Sequence, residues 1–123
     1  MKRDLDLIRK LLFYFEEKSG PEVVENPVIE GYDESTIQYH LRLMHDAHLI
    51  NCETERSSTS PDRIIRVLPF DLTWEGHEFL TKVRSETTWR HIKDTLKTKG
   101  GGMAFAVVNE LATKLALKAI VDA

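Results

Sequence analysis

His45, His48 and Cys52 stand three and four residues apart, and two imidazoles with a thiol have the chemistry of zinc ligands. Zinc sites usually take four ligands in recognisable pairs, and these three fall across the end of a helix and the start of a strand. Nothing in that placement makes them converge, so no metal and no other cofactor is expected. Cys52 reads instead as a small buried hydrophobe, and His40 as a half-buried residue at the edge of a helix core. His77 and Glu78 have the residue types of an acid–base pair, but adjacent positions on a helix point in different directions. A serine elbow, a phosphate-cradling glycine loop and a zinc-protease helix are all missing from the sequence, so a catalytic role is not expected. Gly100, Gly101 and Gly102 precede an apolar stretch without a phosphate-binding lysine, which makes them a hinge.

A different chemistry is carried by two other groups of residues. Ser35, Thr36, Gln38, Tyr39 and Arg42 lie on the polar side of one stretch with helical spacing. On a helix laid in a DNA groove, Gln38 suits adenine, Arg42 suits guanine or phosphate, and Ser35 or Thr36 suits phosphate. Arg56, Arg63 and Arg66 flank a polar loop and suit the DNA backbone or minor groove. The same residues equally suit solvated positions on a scaffold that never touches DNA. Asp33, Glu34 and Asp46 repel phosphate, and a net charge of −3 with a pI near 5.9 gives no global attraction to it.

The elements that position these residues follow from periodicity. Leu5, Ile8, Leu12 and Phe15 recur at helical spacing, Leu11 widens the stripe, and Ser19-Gly20-Pro21 ends it. From Pro21 to Tyr32, valines and Ile29 are interrupted by prolines and acids, which predicts an extended connection with a short strand. Asp33 caps a helix that runs to about Ala47 and buries Ile37, Leu41, Met44 and Ala47. Leu49 to Arg56 alternates apolar and polar residues, and Arg63 to Leu68 is β-branched and apolar, so the two predict a hairpin closed by residues 57–62. Thr73 caps a further helix through Trp74, His77, Phe79, Leu80 and Val83. At Ser85 either a new helix begins or the same one continues through Trp89, Ile92 and Leu96. Gly76 inside that helix costs up to about 1 kcal/mol against alanine, which implies close packing on a neighbouring helix. Trp74 and Trp89 read as core residues.

At 123 residues the chain can bury roughly two-thirds of its unfolded surface. With 41% hydrophobic and 30% charged residues it has the balance of a soluble globular protein. The division expected is 1–99 for the main domain and 100–123 for the hinge and a C-terminal amphipathic helix. Asn109, Glu110, Lys114 and Lys118 exclude that helix as a membrane span. A lone cysteine and the absence of a signal-peptide pattern around Met1-Lys2-Arg3 point to the cytoplasm.

Two segments resemble known domains. Residues 33–53, DESTIQYHLRLMHDAHLINCE, resemble the recognition helix and first wing strand of winged-helix regulators, whose pattern ends HLxxLxxAGLI. Leu72-Thr73-Trp74-Glu75-Gly76-His77-Glu78-Phe79-Leu80 resembles the LTxxGxxFL start of the helix after the wing. Over nearly the whole chain, with Met1–Arg9, Tyr39-His40-Leu41 and the 72–80 block as its marks, the sequence is similar to the bacterial and prophage-associated family called domain of unknown function 2513. The resemblance implies an α+β, winged helix-turn-helix-like domain with a small antiparallel β-hairpin wing and additional C-terminal helices. It implies no activity. Two departures stand out. The stretch 21–32 does not read as the short helix that normally precedes the recognition helix, and His48 takes the place of the usual turn glycine, a position His fills less readily.

Two functions from different classes follow. One is a transcription-regulator-like protein that binds double-stranded DNA through the 33–47 helix and the hairpin. The other is a non-catalytic protein-interaction module on the same scaffold. Phe105, Val108, Leu111 and Leu115 give the C-terminal helix an apolar face that suits packing on its own domain, a homodimer or another protein.

Overall fold

The computed structural model describes residues 1–98 and 104–121. It is α+β, with five helices and one two-stranded antiparallel hairpin. In chain order these are α1 (Leu5–Glu16), α2 (Glu34–Asp46), β1 (Ile50–Arg56), β2 (Ile64–Leu72), α3 (Trp74–Val83), α4 (Glu86–Thr98) and α5 (Phe105–Val121). The chain divides into two compact units, residues 1–77 and 78–123. The glycine hinge expected at 100–102 lies outside the described residues. Among the described residues, no helix is long and apolar enough to cross a membrane.

In the first unit, α1 begins where the Asp4 carboxylate accepts the Leu7 N–H at 3.2 Å, filling one of the donors a helix start leaves open. Its inward stripe is Leu7, Ile8, Leu11, Leu12 and Phe15. Leu7 takes the place expected for Leu5, which is half-buried. Asp33 caps α2 by accepting the Thr36 N–H at 2.8 Å, and Ile37, His40, Leu41 and Met44 face the core. His40 is therefore central rather than at an edge, and only 1% exposed. Its Nε2 accepts the Asp4 backbone N–H at 2.8 Å, so Nδ1 carries the proton and donates to the Thr36 carbonyl at 2.8 Å. Both ring nitrogens are satisfied, which removes the penalty for burying a polar ring. The Asp4 carboxylate also accepts from the Tyr32 hydroxyl at 3.1 Å.

The hairpin is longer than its apolar run. β2 continues four residues past Leu68, through Pro69, to Leu72. Proline has no N–H to give a ladder, and a register shift between Asn51 and Cys52 lies beside its partner position. The short strand expected between Pro21 and Tyr32 does not form. A single backbone bond, Val24 N–H to the Pro69 carbonyl at 2.9 Å, fastens that stretch to β2. The Lys18 ammonium reaches the next carbonyl, that of Phe70. Together these contacts cover a strand edge that would otherwise offer unpaired groups to solvent.

A tight node joins α2, the hairpin and α3. His48 has φ 61°, the left-handed conformation its turn position demands. The Thr73 hydroxyl donates to the His48 carbonyl at 2.6 Å and accepts the Gly76 N–H at 3.0 Å, so it caps α3 and latches the turn at once. A Cβ on residue 76 would lie 2.1 Å from the Leu49 carbonyl oxygen. Gly76 thus packs on the backbone of the turn, not on a neighbouring helix. Trp74 is no core residue either, being 76% exposed in the first turn of α3.

In the second unit, the Ser85 hydroxyl accepts the Thr88 N–H at 3.3 Å and starts α4 as a separate helix. Trp89, Ile92 and Leu96 are its buried face. Phe105 of α5 packs on Phe79 with ring centres 5.0 Å apart and planes tilted by 57°, and Lys82 donates to the Asn109 side-chain oxygen at 3.1 Å. Val108 and Ala112 are fully buried.

Candidate functional site

The first unit carries a cleft of about 370 Å³ between α2 and β2. Helix α2 contributes Ser35, Gln38, Tyr39 and Arg42, one face at a spacing of three, four and seven residues. Strand β2 and the residue before it contribute Arg63, Ile64, Ile65, Arg66 and Val67. The structure thus brings together six of the eight residues singled out for nucleic-acid chemistry. Three of the lining residues are arginines and none is a carboxylate. Arg42 and Arg63 are exposed, and among the described residues neither has a side-chain hydrogen bond or ion pair.

The remaining polar groups differ in how far they are engaged. Gln38 Nε2 donates to the Val67 carbonyl at 3.0 Å, and Gln38 Oε1 accepts the Val67 N–H at 3.0 Å. The amide edge that would pair with adenine therefore pairs with the strand, and Gln38 is corrected from a base reader to a clamp between helix and sheet. Arg66 donates to the Glu25 carbonyl at 2.9 Å and the Asn26 side-chain oxygen at 3.1 Å, tying down the 21–32 stretch. Arg56 lies away from the cleft lining and donates to the Pro61 carbonyl at 3.2 Å, closing the hairpin loop. Thr36 is half-buried and outside the lining, with its N–H held by Asp33 and its carbonyl by His40. The bonds from Thr36 hold the Asp33 carboxyl below its usual range.

The sequence reading missed Met1, Ile64, Ile65 and Val67 as part of this site. Ile65 is 58% exposed, and a second register shift falls beside it, between Glu55 and Arg56. Successive strand residues face opposite ways, so only one of the two adjacent isoleucines can turn inward, and here Ile64 is half-buried while Ile65 is exposed.

The other candidates fall elsewhere. His45 Nδ1 and Cys52 Sγ do meet, at 3.3 Å, and Cys52 is half-buried rather than a fully buried hydrophobe. Burial pushes the Cys52 thiol up from its ordinary pKa. His48 is exposed, and among the described residues no three His, Cys, Asp or Glu side chains gather as a metal site. On α5, Phe105 and Val108 are engaged within the second unit, Leu111 and Leu115 are half-buried, and the apolar residues left outward are Val107, Leu117 and Ile120.

A small α+β protein with an arginine-lined cleft beside a hairpin is what these features define. The chain belongs to the family described as "Hypothetical protein (DUF2513)", whose model matches residues 2–102. It is similar to an "Uncharacterized protein" of Haemophilus influenzae, 34% identical over 113 residues that cover 91% of this chain and 92% of that one. No solved structure matches it.

Proposed function

We propose that this protein is a winged-helix-like, double-stranded-DNA-binding protein of the transcription-regulator type, with α2 and the β1–β2 hairpin facing the duplex. The observation that carries this reading is the cleft itself, where Arg42 and Arg63 stand on opposite walls with no carboxylate between them. Local positive charge of this kind attracts phosphate even on a protein whose net charge is −3. In this reading the element order α1, α2, β1, β2, α3 is that of a winged helix whose segment 21–32 replaces one helix. The role is binding, without catalysis. Titration of labelled random duplex by fluorescence anisotropy tests it at low and physiological salt. Binding that weakens steeply with salt supports the proposal, and no binding at low salt refutes it.

A second reading, docking of a protein partner on α5, is favoured by the exposure of Leu117 (58%) and Ile120 (74%). Replacing both with lysine would abolish partner capture and leave duplex titrations unchanged.

A further inference from the structure

We infer that the α2–β2 cleft grips the sugar-phosphate backbone and reads no base edges, so that duplex DNA is bound without preference for sequence. This rests on the DNA-binding reading above and specifies what kind of DNA it selects. Direct readout needs side chains with free donor–acceptor edges on a helix face that can enter the major groove. On α2 the one side chain suited to a two-point contact with adenine, Gln38, is spent on Val67. That same pair of bonds fixes β2 alongside this face of the helix. The face is therefore one wall of a concavity, and the ridge a duplex offers to a concavity is its backbone. The Arg42 fork, which by type also suits guanine, meets phosphate there.

The backbone N–H groups at the start of α2 are a poor phosphate site. Asp33 already takes the Thr36 N–H, and Glu34 adds a second negative charge in the first turn. The attraction is instead displaced along the helix to Arg42 and across the cleft to Arg63. Guanidinium groups on two facing walls suit the oxygens of one phosphodiester. Ser35 supplies a hydroxyl on the same lining, and Ile65 an apolar contact for the sugar. Arg66, tied to Glu25 and Asn26, holds a wall of the cleft in place.

The test uses the full chain, two labelled duplexes of equal length and unrelated sequence, and a salt series. The affinities for the two duplexes agree within about threefold, and an Arg42→Ala/Arg63→Ala double variant, which gives up one phosphate contact, lowers the salt slope by about one. Arg42→Lys keeps binding within a few-fold, because a phosphate accepts a point charge where a guanine edge needs the planar fork. Circular dichroism melts establish that each variant is folded. A sequence enriched from a random duplex pool and bound more than about tenfold tighter overturns the inference while DNA binding stands, as does Arg42→Lys behaving like Arg42→Ala. No binding to either duplex at low salt overturns both.

Discussion

Gln38 and Val67 exchange two hydrogen bonds, each 3.0 Å long, so a side chain of α2 occupies the place a third strand would take beside β2. The pairing serves two ends at once: it satisfies a backbone N–H and C=O at a buried residue, and it sets the width of the cleft.

Gln38→Ala removes both partners of Val67. Leaving a buried N–H and C=O unpaired costs about 1–3 kcal/mol, which lowers the urea midpoint while the denaturant slope stays near that of the wild type. A midpoint unchanged from wild type would show that water replaces the amide freely.

Gly76→Ala inverts the usual rule for helices. Helix propensity alone favours alanine by about 1 kcal/mol, yet the new methyl would sit 2.1 Å from the Leu49 carbonyl oxygen. Backbone must move, and overpacking of this kind costs about 1–3 kcal/mol. Thermal denaturation shows a lower midpoint for the variant, and a rise would disprove the close approach.

Asp33 makes the start of α2 sensitive to acid. Its folded pKa is depressed from the ordinary 3.8 by the Thr36 bonds, so its contribution is complete above that value. As pH falls through the lower folded value, the contribution is lost. Melting curves of wild type and Asp33→Ala are therefore well separated near neutral pH and converge in strong acid. Curves that stay parallel over the whole range would contradict the cap.

Cys52 is a slow nucleophile in the native protein. Burial raises its pKa above the ordinary 9.0 and keeps it a thiol at neutral pH. A colorimetric disulfide reagent reacts with it far more slowly in buffer than in denaturing urea, and His45→Ala, by opening the side facing the ring, speeds the native reaction. Equal rates in buffer and urea would count against this.

Local signals were enough for much of the fold. Asp33 with Ile37, Leu41 and Met44 announces α2 because a cap and a 3.6-residue stripe are written in one short stretch. At Ser85 the sequence leaves a new helix and a continued one both open, and the structure has the hydroxyl capping a new one. What failed was whatever depended on distant partners. The apolar run predicts a strand only to Leu68, but the register shift beside the partner of Pro69 lets β2 run on to Leu72. Trp74 carried the size of a core residue and sits on the outward side of the first turn of α3. Gln38 looked like a free polar group on a helix face, since its partner lies 29 positions away and no spacing rule connects them. The cleft was half legible for the same reason: its arginines are visible by type, whereas its walls depend on how α2 meets β2.

The latch at Thr73 separates two properties of the hairpin that usually change together. Both strand ends converge on it, through the His48 carbonyl and through the Thr73 N–H to the Leu49 carbonyl at 3.0 Å. The direction in which the hairpin projects is therefore decided at its root. Its tip, residues 57–62, is exposed apart from the half-buried Ser57. Inserting glycine and serine after Ser58 would lengthen the arm without swinging it.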